Sequence, residues 1–379
     1  MSNNLVNYPP MLSLIRMMAE LGKDVYYIGS YSDELGKAKL EKLGVTFVPV
    51  VYERVSGQIE MIKRQNKYKS DIKKVIQNYS VVKDDLVWYV YSDTAYFLLP
   101  ELKKLSYVAH FYEFVNSKLS WKYQLLYPTF KMKQLLHNAK AVVHCEYNRA
   151  QITKGLYGLD KLPYVIPNKP YFEETDIENA PKEIRTFVEG LKARLNNKTI
   201  ILYQGVFESN ERRLEEFCEA AQMLPDNFVF IAMGSGGDYF NDLKQKYESD
   251  KILFIPFIKP PYHLLVTKLA SIGVLSYYPL DSSFAGVINP LYCAPNKVFE
   301  YGRYGVPMIS NDIPGLKYIF KEYNCGKVVE SPITARRIVD TVTSILGQNS
   351  EISKGSLDYY DSVDIRSIVS TIIKDIESY

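Results

Sequence analysis

Short apolar runs rich in Val, Ile and Tyr alternate along this chain with longer polar or amphipathic stretches, and this alternation restricts the fold more than any other feature. An apolar run followed by a helical stretch is typical of the βαβ units of a parallel sheet. Twelve runs predict strands, in chain order DVYYIG, VTFVPVV, LVWYVY, YVAHFY, AVVHC, YVIP, ILYQG, FVFIAMG, ILFIP, IGVLSYY, VPMIS and GKVVE. The pattern therefore predicts an α/β protein with parallel sheets.

The alternation stops near Asn168, where NKPYFEETDIENAPKEI is acidic and contains prolines, and it resumes at Thr199. Such a break predicts two tandem Rossmann-like, doubly wound domains that face a cleft. The predicted boundaries are an N-terminal domain over 1–170, a linker over 171–198, a C-terminal domain over 199–350 and a helical segment over 351–379. Either domain could receive that last segment. Ligands of open α/β sheets bind at the carboxyl ends of the strands, so we expect the site in the cleft.

Several classes of protein are excluded by the composition. The apolar runs, such as FVFIAM, are far shorter than the roughly 18 residues of a membrane-spanning helix. The first residues lack the basic and apolar regions of a secretory signal, so we expect a cytoplasmic protein. The four cysteines have no paired spacing and predict buried free thiols, and the four histidines lack metal-ligand spacing, so no metal is expected.

The net charge of +3 hides an asymmetry between the two halves of the chain. Residues 1–170 carry 24 basic and 15 acidic side chains, whereas residues 171–379 carry 22 and 28. A basic half indicates contact with an anionic surface or substrate. A compositional bias toward Lys, Asn, Ile and Tyr accounts for the same numbers, and both explanations stay open.

The segment YCAPNKVFEYGRYGVPMISNDIPGL, Tyr292 to Leu316, carries the most information about function. Pro295 suits the start of a helix, whose free N–H groups favour phosphate, and Asn296 and Lys297 add donors and a charge there. Glu300 follows one turn later and could accept hydrogen bonds from ribose hydroxyls. Together these residues predict a nucleotide site; the alternative is a surface Lys–Glu pair on a capped helix.

A second segment, LYQGVFESNERRLEEF, places a glycine and two arginines between a buried strand and a helix. Gly205 permits close backbone approach to an anion. Arg212 and Arg213 are predicted to open the helix, where a cation is unfavourable unless an anion lies nearby. We expect at least one of them to bind phosphate and the other to pair with a surface glutamate.

The order of these motifs over Thr199–Glu330 resembles the carboxyl-terminal domain of the GT-B glycosyltransferases, nearest to glycosyltransferase family four. The resemblance rests on the strand-QG-helix segment, SIGVLSYYPL and APNKxFEYxxxGxPxIxxDxPG. The first half is similar more loosely, through NYPP, YVAHFYEF and VVHCEYNRAQI…YVIPNKP. The resemblance implies transfer of a sugar from a nucleotide donor, with no further cofactor required.

The resemblance also implies roles for the matching positions. Gly205 and Arg212 would meet the diphosphate, Asn296 and Lys297 the phosphate and sugar region, and Glu300 the ribose. Many family members carry another glutamate eight positions before the ribose-binding one, and that position is Tyr292 here. This departure leaves the sugar and the stereochemical outcome open, with Asn289 or Asp281 as substitute partners of the sugar hydroxyls.

Catalytic groups of the first half are expected at its strand ends. His110 and Glu113 lie at and just beyond one such end, and we expect them to contact the acceptor or the reacting sugar. For His110, a core-edge histidine bonded to the backbone is an equal alternative. Glu113 is a general base only if the enzyme inverts. His144 and Glu146, at the next strand end, form a second candidate pair.

The stretch KLSWKYQLLYPTFKMKQLLH, residues 118–137, mixes aromatic and apolar residues with lysines. Such a segment can lie on an anionic membrane, which predicts a lipid-linked acceptor and a position on the inner face of the plasma membrane. An ordinary helix with solvated lysines is the alternative.

The sequence thus favours a glycosyltransferase that uses a UDP-sugar to extend a surface polysaccharide or glycolipid. A nucleotide-sugar 2-epimerase of the same fold and a non-catalytic nucleotide- or glycan-binding protein stay open. Nucleic acid is not an expected partner, because the basic charge is diffuse and no binding module is recognisable.

Overall fold

The computed structural model describes residues 3–53, 55–82, 84–90, 95–115, 129–171 and 177–378. The chain forms two compact units. The first comprises residues up to 171 together with those from 364 onward, and the second comprises residues 172–363.

All twelve predicted strands form, and every pairing between them is parallel, which confirms the α/β class. The strands are β1 Tyr26–Gly29, β2 Thr46–Pro49, β3 Leu86–Val90, β4 Ser106–Phe111, β5 Ala141–His144, β6 Tyr164–Val165, β7 Thr199–Val206, β8 Phe228–Ser235, β9 Ile252–Pro256, β10 Ile272–Leu275, β11 Met308–Asn311 and β12 Gly326–Val329.

One helix precedes the first strand, and the others lie between the strands or follow the last of them. They are α1 Pro9–Glu20, α2 Glu34–Lys42, α3 Gln58–Asn78, α4 Ala95–Leu102, α5 Met132–His137, α6 Tyr147–Tyr157, α7 Lys182–Arg194, α8 Glu215–Met223, α9 Gly237–Tyr247, α10 Leu264–Thr267, α11 Phe284–Leu291, α12 Asn296–Gly302, α13 Pro314–Tyr323, α14 Ala335–Gly347, α15 Asn349–Ser362 and α16 Ile365–Glu377. Short 3₁₀ helices occupy Leu5–Asn7, Thr129–Lys131 and Ile177–Asn179.

The first unit contains two parallel sheets, one of β1 and β2 and one in the order β3-β4-β5-β6. The central strands β4 and β5 are buried on both faces, as expected for strands covered by helices. Ahead of β1 the chain makes a single parallel bridge from Asn4 to Ser30 and then turns into the first 3₁₀ helix. Cys145 in this unit and the three cysteines of the second unit are buried and free.

The second unit is built on one six-stranded parallel sheet in the order β12-β11-β10-β7-β8-β9. Successive residues of β7 point to opposite faces, and both faces are buried: Ile200 and Leu202 belong to one apolar cluster, Ile201 and Tyr203 to the other. This is the strand order of a doubly wound Rossmann sheet, whose direction of winding reverses between β7 and β10. Ligands of such sheets bind at the carboxyl ends of the strands beside this switch point.

The segment that the sequence predicts as a linker, 171–198, contains α7. Val188 and Leu191 of this helix are buried in the core of the second unit. The helix forms there because its apolar residues recur at helical spacing although its other positions are charged.

The last helix, α16, belongs to the first unit and packs against α1. Its buried face comprises Ile365, Val369, Ile372 and Ile373. Two polar contacts support it: Lys23 Nζ lies 2.5 Å from Glu377 Oε1, and the Tyr164 hydroxyl donates to Asp375 Oδ2 at 3.0 Å. The carboxyl terminus of the chain thus completes the core of the amino-terminal unit.

We expect Ile372→Ala to destabilise the first unit by about 2–5 kcal/mol, because it leaves a cavity where a side chain only 1% exposed now packs. Urea unfolding followed by circular dichroism measures this. The exposed neighbour Thr371 supplies the control, since Thr371→Ala should change the free energy of unfolding by no more than about 0.5 kcal/mol. Equal effects of the two substitutions would contradict the packing of α16.

Candidate functional site

Two glycines allow a close backbone approach at the carboxyl end of β7, beside the switch point. Gly205 has a φ of +152° and is paired in register with Gly234 of β8, whose φ is +157°. A Cβ atom on Gly234 would lie 1.7 Å from the carbonyl oxygen of Gly205. Both positions therefore favour glycine, Gly234 through this collision and both through their positive φ.

Lys297, the second residue of α12, lies over Gly205. A Cβ atom on Gly205 would lie 2.7 Å from the Lys297 Cε and 3.0 Å from its Nζ. Burial lowers the pKa of Lys297, Glu300 acts in the opposite direction, and Arg212 lowers the pKa further. Within the described ranges no hydrogen bond or ion pair engages the ammonium group of this half-buried lysine.

Glu300 lies one turn after Lys297 and is buried, with 9% of the residue exposed. Its Oε2 accepts a hydrogen bond from Gln204 Nε2 at 2.5 Å, and its Oε1 lies 3.4 Å from His263 Nε2. Burial by itself would raise the pKa of Glu300, but His263, Lys297 and Gln204 together outweigh it and lower the pKa. The carboxylate is therefore ionised and can accept further hydrogen bonds.

Arg212 lies in the loop before α8, so the prediction that it opens the helix is wrong. The helix begins only at Glu215. The preceding loop is held instead by the chain that follows β10: Ser276 Oγ donates to the carbonyl of Arg213 at 2.7 Å, and Tyr278 N donates to the carbonyl of Glu211 at 3.0 Å. These contacts replace helical hydrogen bonds.

The guanidinium group of Arg212 stacks on the ring of Tyr277, 4.1 Å from its centroid, and donates to the Glu211 carbonyl at 3.0 Å. Asn311, the last residue of β11, fixes this ring by bonding the Tyr277 backbone twice: Oδ1 accepts from Tyr277 N at 2.9 Å, and Nδ2 donates to Tyr277 O at 2.5 Å. The charge of Arg212 is near enough to Lys297 to lower its pKa.

The remaining predicted donor-site residues lie around α12. Asn296 is its first residue, after Pro295 at the N-cap. Asn289 lies inside α11, not in a loop as expected, because Ser283 caps a helix that continues to Leu291. Tyr292 directly follows α11 and, like Asn289, is half-buried. The structure thus gathers Gly205, Arg212, Asn296, Lys297 and Glu300 at one edge of the second unit.

His110, in the first unit, is the penultimate residue of β4 and only 1% exposed. Its Nδ1 accepts a hydrogen bond from Trp88 Nε1 at 3.2 Å, so the proton of the neutral ring is on Nε2. Nε2 is buried and has no partner within the described ranges. Glu113, three residues further on, is exposed.

The second candidate pair of the first unit has structural roles. His144 Nε2 is bonded to Thr153 Oγ1 at 2.8 Å, and the imidazole stacks on Phe111 with a centroid distance of 5.2 Å. Glu146 caps α6 by accepting from Arg149 N at 2.8 Å. Of the segment 118–137, residues 118–128 lie outside the described residues; Met132, Leu135 and Leu136 are buried on α5.

Sequence reasoning missed the residues that support the second-unit site. These are Gln204, His263, Thr267, Tyr277 and Asn311. One signal was available: a glutamine interrupts the apolar run of β7 directly before Gly205. A polar side chain in a buried strand needs a partner, although the sequence does not say which one.

Comparison with known proteins establishes the fold. No protein-family model matches this sequence, and no curated protein sequence matches it. A glycosyltransferase from Rickettsia africae has a similar structure, with a TM-score of 0.67 and 14% identity over 99% of this chain and 95% of the other. HepE from Anabaena, solved in complex with UDP, has a TM-score of 0.66 and 13% sequence identity over 98% of this chain and 96% of its own. WaaG, a glycosyltransferase involved in lipopolysaccharide biosynthesis, has a TM-score of 0.60 and 12% sequence identity over 98% of this chain and 96% of its own.

These matches span nearly the whole of each chain and confirm the predicted GT-B fold. In the part of the chain that the structure describes, no helix is long and apolar enough to cross a membrane, and no three His, Cys, Asp or Glu side chains are grouped to hold a metal ion.

The two buried histidines of the first unit predict a pH dependence of stability. Burial lowers the pKa of His110 and of His144 from 6.5 to about 3. As the pH falls, the two imidazoles therefore bind protons in the unfolded chain before they do so in the folded chain. The free energy of unfolding is highest above pH 6.5 and decreases as the pH falls toward 3. Between pH 6.5 and 5 we expect a loss of about 2 kcal/mol per histidine.

Urea unfolding at several pH values checks this expectation. His110→Gln keeps an acceptor for Trp88 but does not titrate, so this variant should lose about 2 kcal/mol less than the wild type over the same pH interval. An unchanged pH dependence in the variant would show that the imidazole of His110 is protonated in the folded chain.

Proposed function

We propose that the protein is a glycosyltransferase that moves a sugar from a nucleotide diphosphate donor, with uridine as the expected base, to a glycan or lipid-linked acceptor. The observation that carries this proposal is the grouping of Gly205, Arg212, Lys297 and Glu300 at the switch point of the second unit. A pyrophosphate needs cations and close backbone approach, and a ribose needs a hydrogen-bond acceptor. The complex of HepE with UDP, on the same fold, supports uridine.

Lys297 and Arg212 carry the proposed chemistry at the leaving group. When the bond between the anomeric carbon and the diphosphate breaks, negative charge grows on the phosphate while positive charge grows on the sugar. The two cations are half-buried, where charge stabilises charge more strongly than in bulk water. They supply the stabilisation that a divalent metal gives elsewhere, so we propose a metal-independent hexosyltransferase.

We assign the donor sugar to the neighbourhood of α11 and α12. Asn296 begins α12, and Asn289 and Tyr292 lie at the end of α11 and just beyond it. Tyr292 offers a hydroxyl where the resembling family often has a carboxylate, which favours a hydrogen bond to a sugar hydroxyl over charge stabilisation. We propose these three residues as determinants of which sugar is accepted.

We propose that His110 and Glu113 act on the acceptor side. Because the Trp88 indole occupies Nδ1, His110 can donate a hydrogen bond from Nε2 but cannot accept a proton there. We therefore propose His110 as a hydrogen-bond donor to a sugar hydroxyl and not as a base, a role that requires the groups covering its buried Nε2 to move. Glu113 is exposed and is the candidate general base if the reaction inverts the anomeric centre.

Isothermal titration of the full chain with UDP, followed by incubation with a panel of UDP-sugars, tests the proposal. We expect UDP binding and slow hydrolysis of at least one donor. Lys297→Met keeps the length of the side chain but removes its charge, so it should weaken UDP binding about tenfold to a hundredfold.

Lys321, exposed in the last turn of α13, provides the matched control. Lys321→Met removes the same charge from the same unit and should leave UDP affinity within about twofold. Failure of the wild type to bind any nucleoside diphosphate or to hydrolyse any nucleotide sugar would refute the proposed function.

The proposed acceptor belongs to a surface polysaccharide or glycolipid, which places the enzyme in the cytoplasm at the inner face of the plasma membrane. The lysine-rich segment 118–137 and the basic first half support this, as does the role of WaaG in lipopolysaccharide biosynthesis.

We expect the chain to float with anionic vesicles at low salt and to be released by about 0.5 M salt. Flotation with neutral vesicles is the control, and no binding to anionic vesicles would exclude the membrane part of the proposal.

A further inference from the structure

Glu300 is the end of a buried polar relay, which we define as Thr267, Gln204, His263 and Glu300. Thr267 Oγ1 donates to Gln204 Oε1 at 2.7 Å, and Gln204 Nε2 donates to Glu300 Oε2 at 2.5 Å. His263 Nε2 faces the other carboxylate oxygen at 3.4 Å. Thr267 is fully buried and Gln204 is 3% exposed. The relay joins three elements of the second unit, β7, α10 and α12.

The relay fixes the orientation of the Gln204 amide. Its oxygen must face the Thr267 hydroxyl and its NH₂ group must face the carboxylate, because a reversed amide would set two acceptors against each other at Glu300. A buried amide with satisfied bonds on both sides does not exchange between orientations. The carboxylate selects this orientation, and Thr267 stabilises it by donating to the amide oxygen.

The carboxylate of Glu300 is in turn held at both of its oxygens. A free carboxylate rotates about its last bond and offers its lone pairs in any plane. Here Gln204 holds one oxygen and His263 faces the other, and each oxygen keeps a second lone pair. Two neighbouring hydroxyl groups could therefore be recognised at once, but only in one plane.

We infer that Gln204 and His263, with Gln204 anchored by Thr267, are positioning residues that fix the Glu300 carboxylate for the two ribose hydroxyls, and so set the preference of the site for ribonucleotide over deoxyribonucleotide donors. This inference rests on the proposed function, since it assigns a ribose to Glu300. None of the three residues needs to touch the reacting atoms.

Titration of the full chain with UDP and with 2′,3′-dideoxyuridine 5′-diphosphate tests the inference. The wild type should bind UDP about tenfold to a hundredfold more tightly, because only UDP gives hydroxyl groups to the carboxylate. Gln204→Leu and His263→Leu should reduce this ratio to below about threefold. They should leave the affinity for the dideoxy analogue within about twofold, which shows that the phosphate-binding part of the site is folded.

Thr267 supplies a matched pair of variants in case Gln204→Leu does not fold. Thr267→Val keeps the shape of the side chain but removes the hydroxyl, and should lower the ratio by at least threefold. Thr267→Ser keeps the hydroxyl and should retain the wild-type ratio. A purely structural role would lower the melting temperature or both affinities together without changing the ratio.

The outcomes separate the inference from the proposed function. If the wild type binds UDP and prefers it, but Gln204→Leu and Thr267→Val keep the full preference, the inference is overturned and the proposed function stands. Equal binding of the two nucleotides by the wild type also overturns the inference alone. If the wild type binds neither nucleotide, the proposed function fails and the inference fails with it.

Discussion

The close approach of a lysine side chain to bare backbone at Gly205 is the contact on which the second-unit site depends. Any Cβ atom there would lie within 3.0 Å of the terminal atoms of Lys297, and any Cβ on Gly234 would collide with the Gly205 carbonyl. Two glycines in register, both with positive φ, open this space at the carboxyl end of β7. The Rossmann strand order places the opening at the switch point, so backbone geometry and topology select the same edge of the sheet.

The electrostatics of the site follow from how its charges are partnered. Taking Lys297 and Glu300 out of water is costly for both. Glu300 is compensated by a hydrogen bond from Gln204, by His263 and by the charge of Lys297, whereas Lys297 is compensated in part by the charge of Glu300. The ammonium of Lys297 is left without a hydrogen bond or ion pair from the described residues, and Arg212 beside it adds a second positive charge. Within the described ranges the carboxylate of Glu300 therefore has hydrogen-bonding partners and the ammonium group of Lys297 has none.

The first unit handles its polar groups differently. His110 and His144 are buried and neutral, and each has one nitrogen engaged, by Trp88 and by Thr153. The His110 ring carries its proton on Nε2, because Nδ1 accepts from Trp88, and burial keeps both imidazoles uncharged. The first unit thus keeps these two imidazoles neutral, whereas the second unit holds a cation that no described residue engages in a hydrogen bond or ion pair.

Features that depend on residues close together in the chain could be predicted from the amino-acid sequence. The apolar runs predict the twelve strands, and the three-residue spacing of Lys297 and Glu300 predicts that they share one face of a helix. The sequence does not predict that Arg212 lies in a loop before α8. The hydrogen bonds that hold this loop come from Ser276 and Tyr278, which are distant in the chain. The sequence also could not identify Gln204 as the partner of Glu300, which is 96 positions away. Such pairings follow from the packing of distant segments, because a buried polar group takes whichever partner packing brings within hydrogen-bond distance. The pattern of neighbouring residues in the sequence carries no information about that partner.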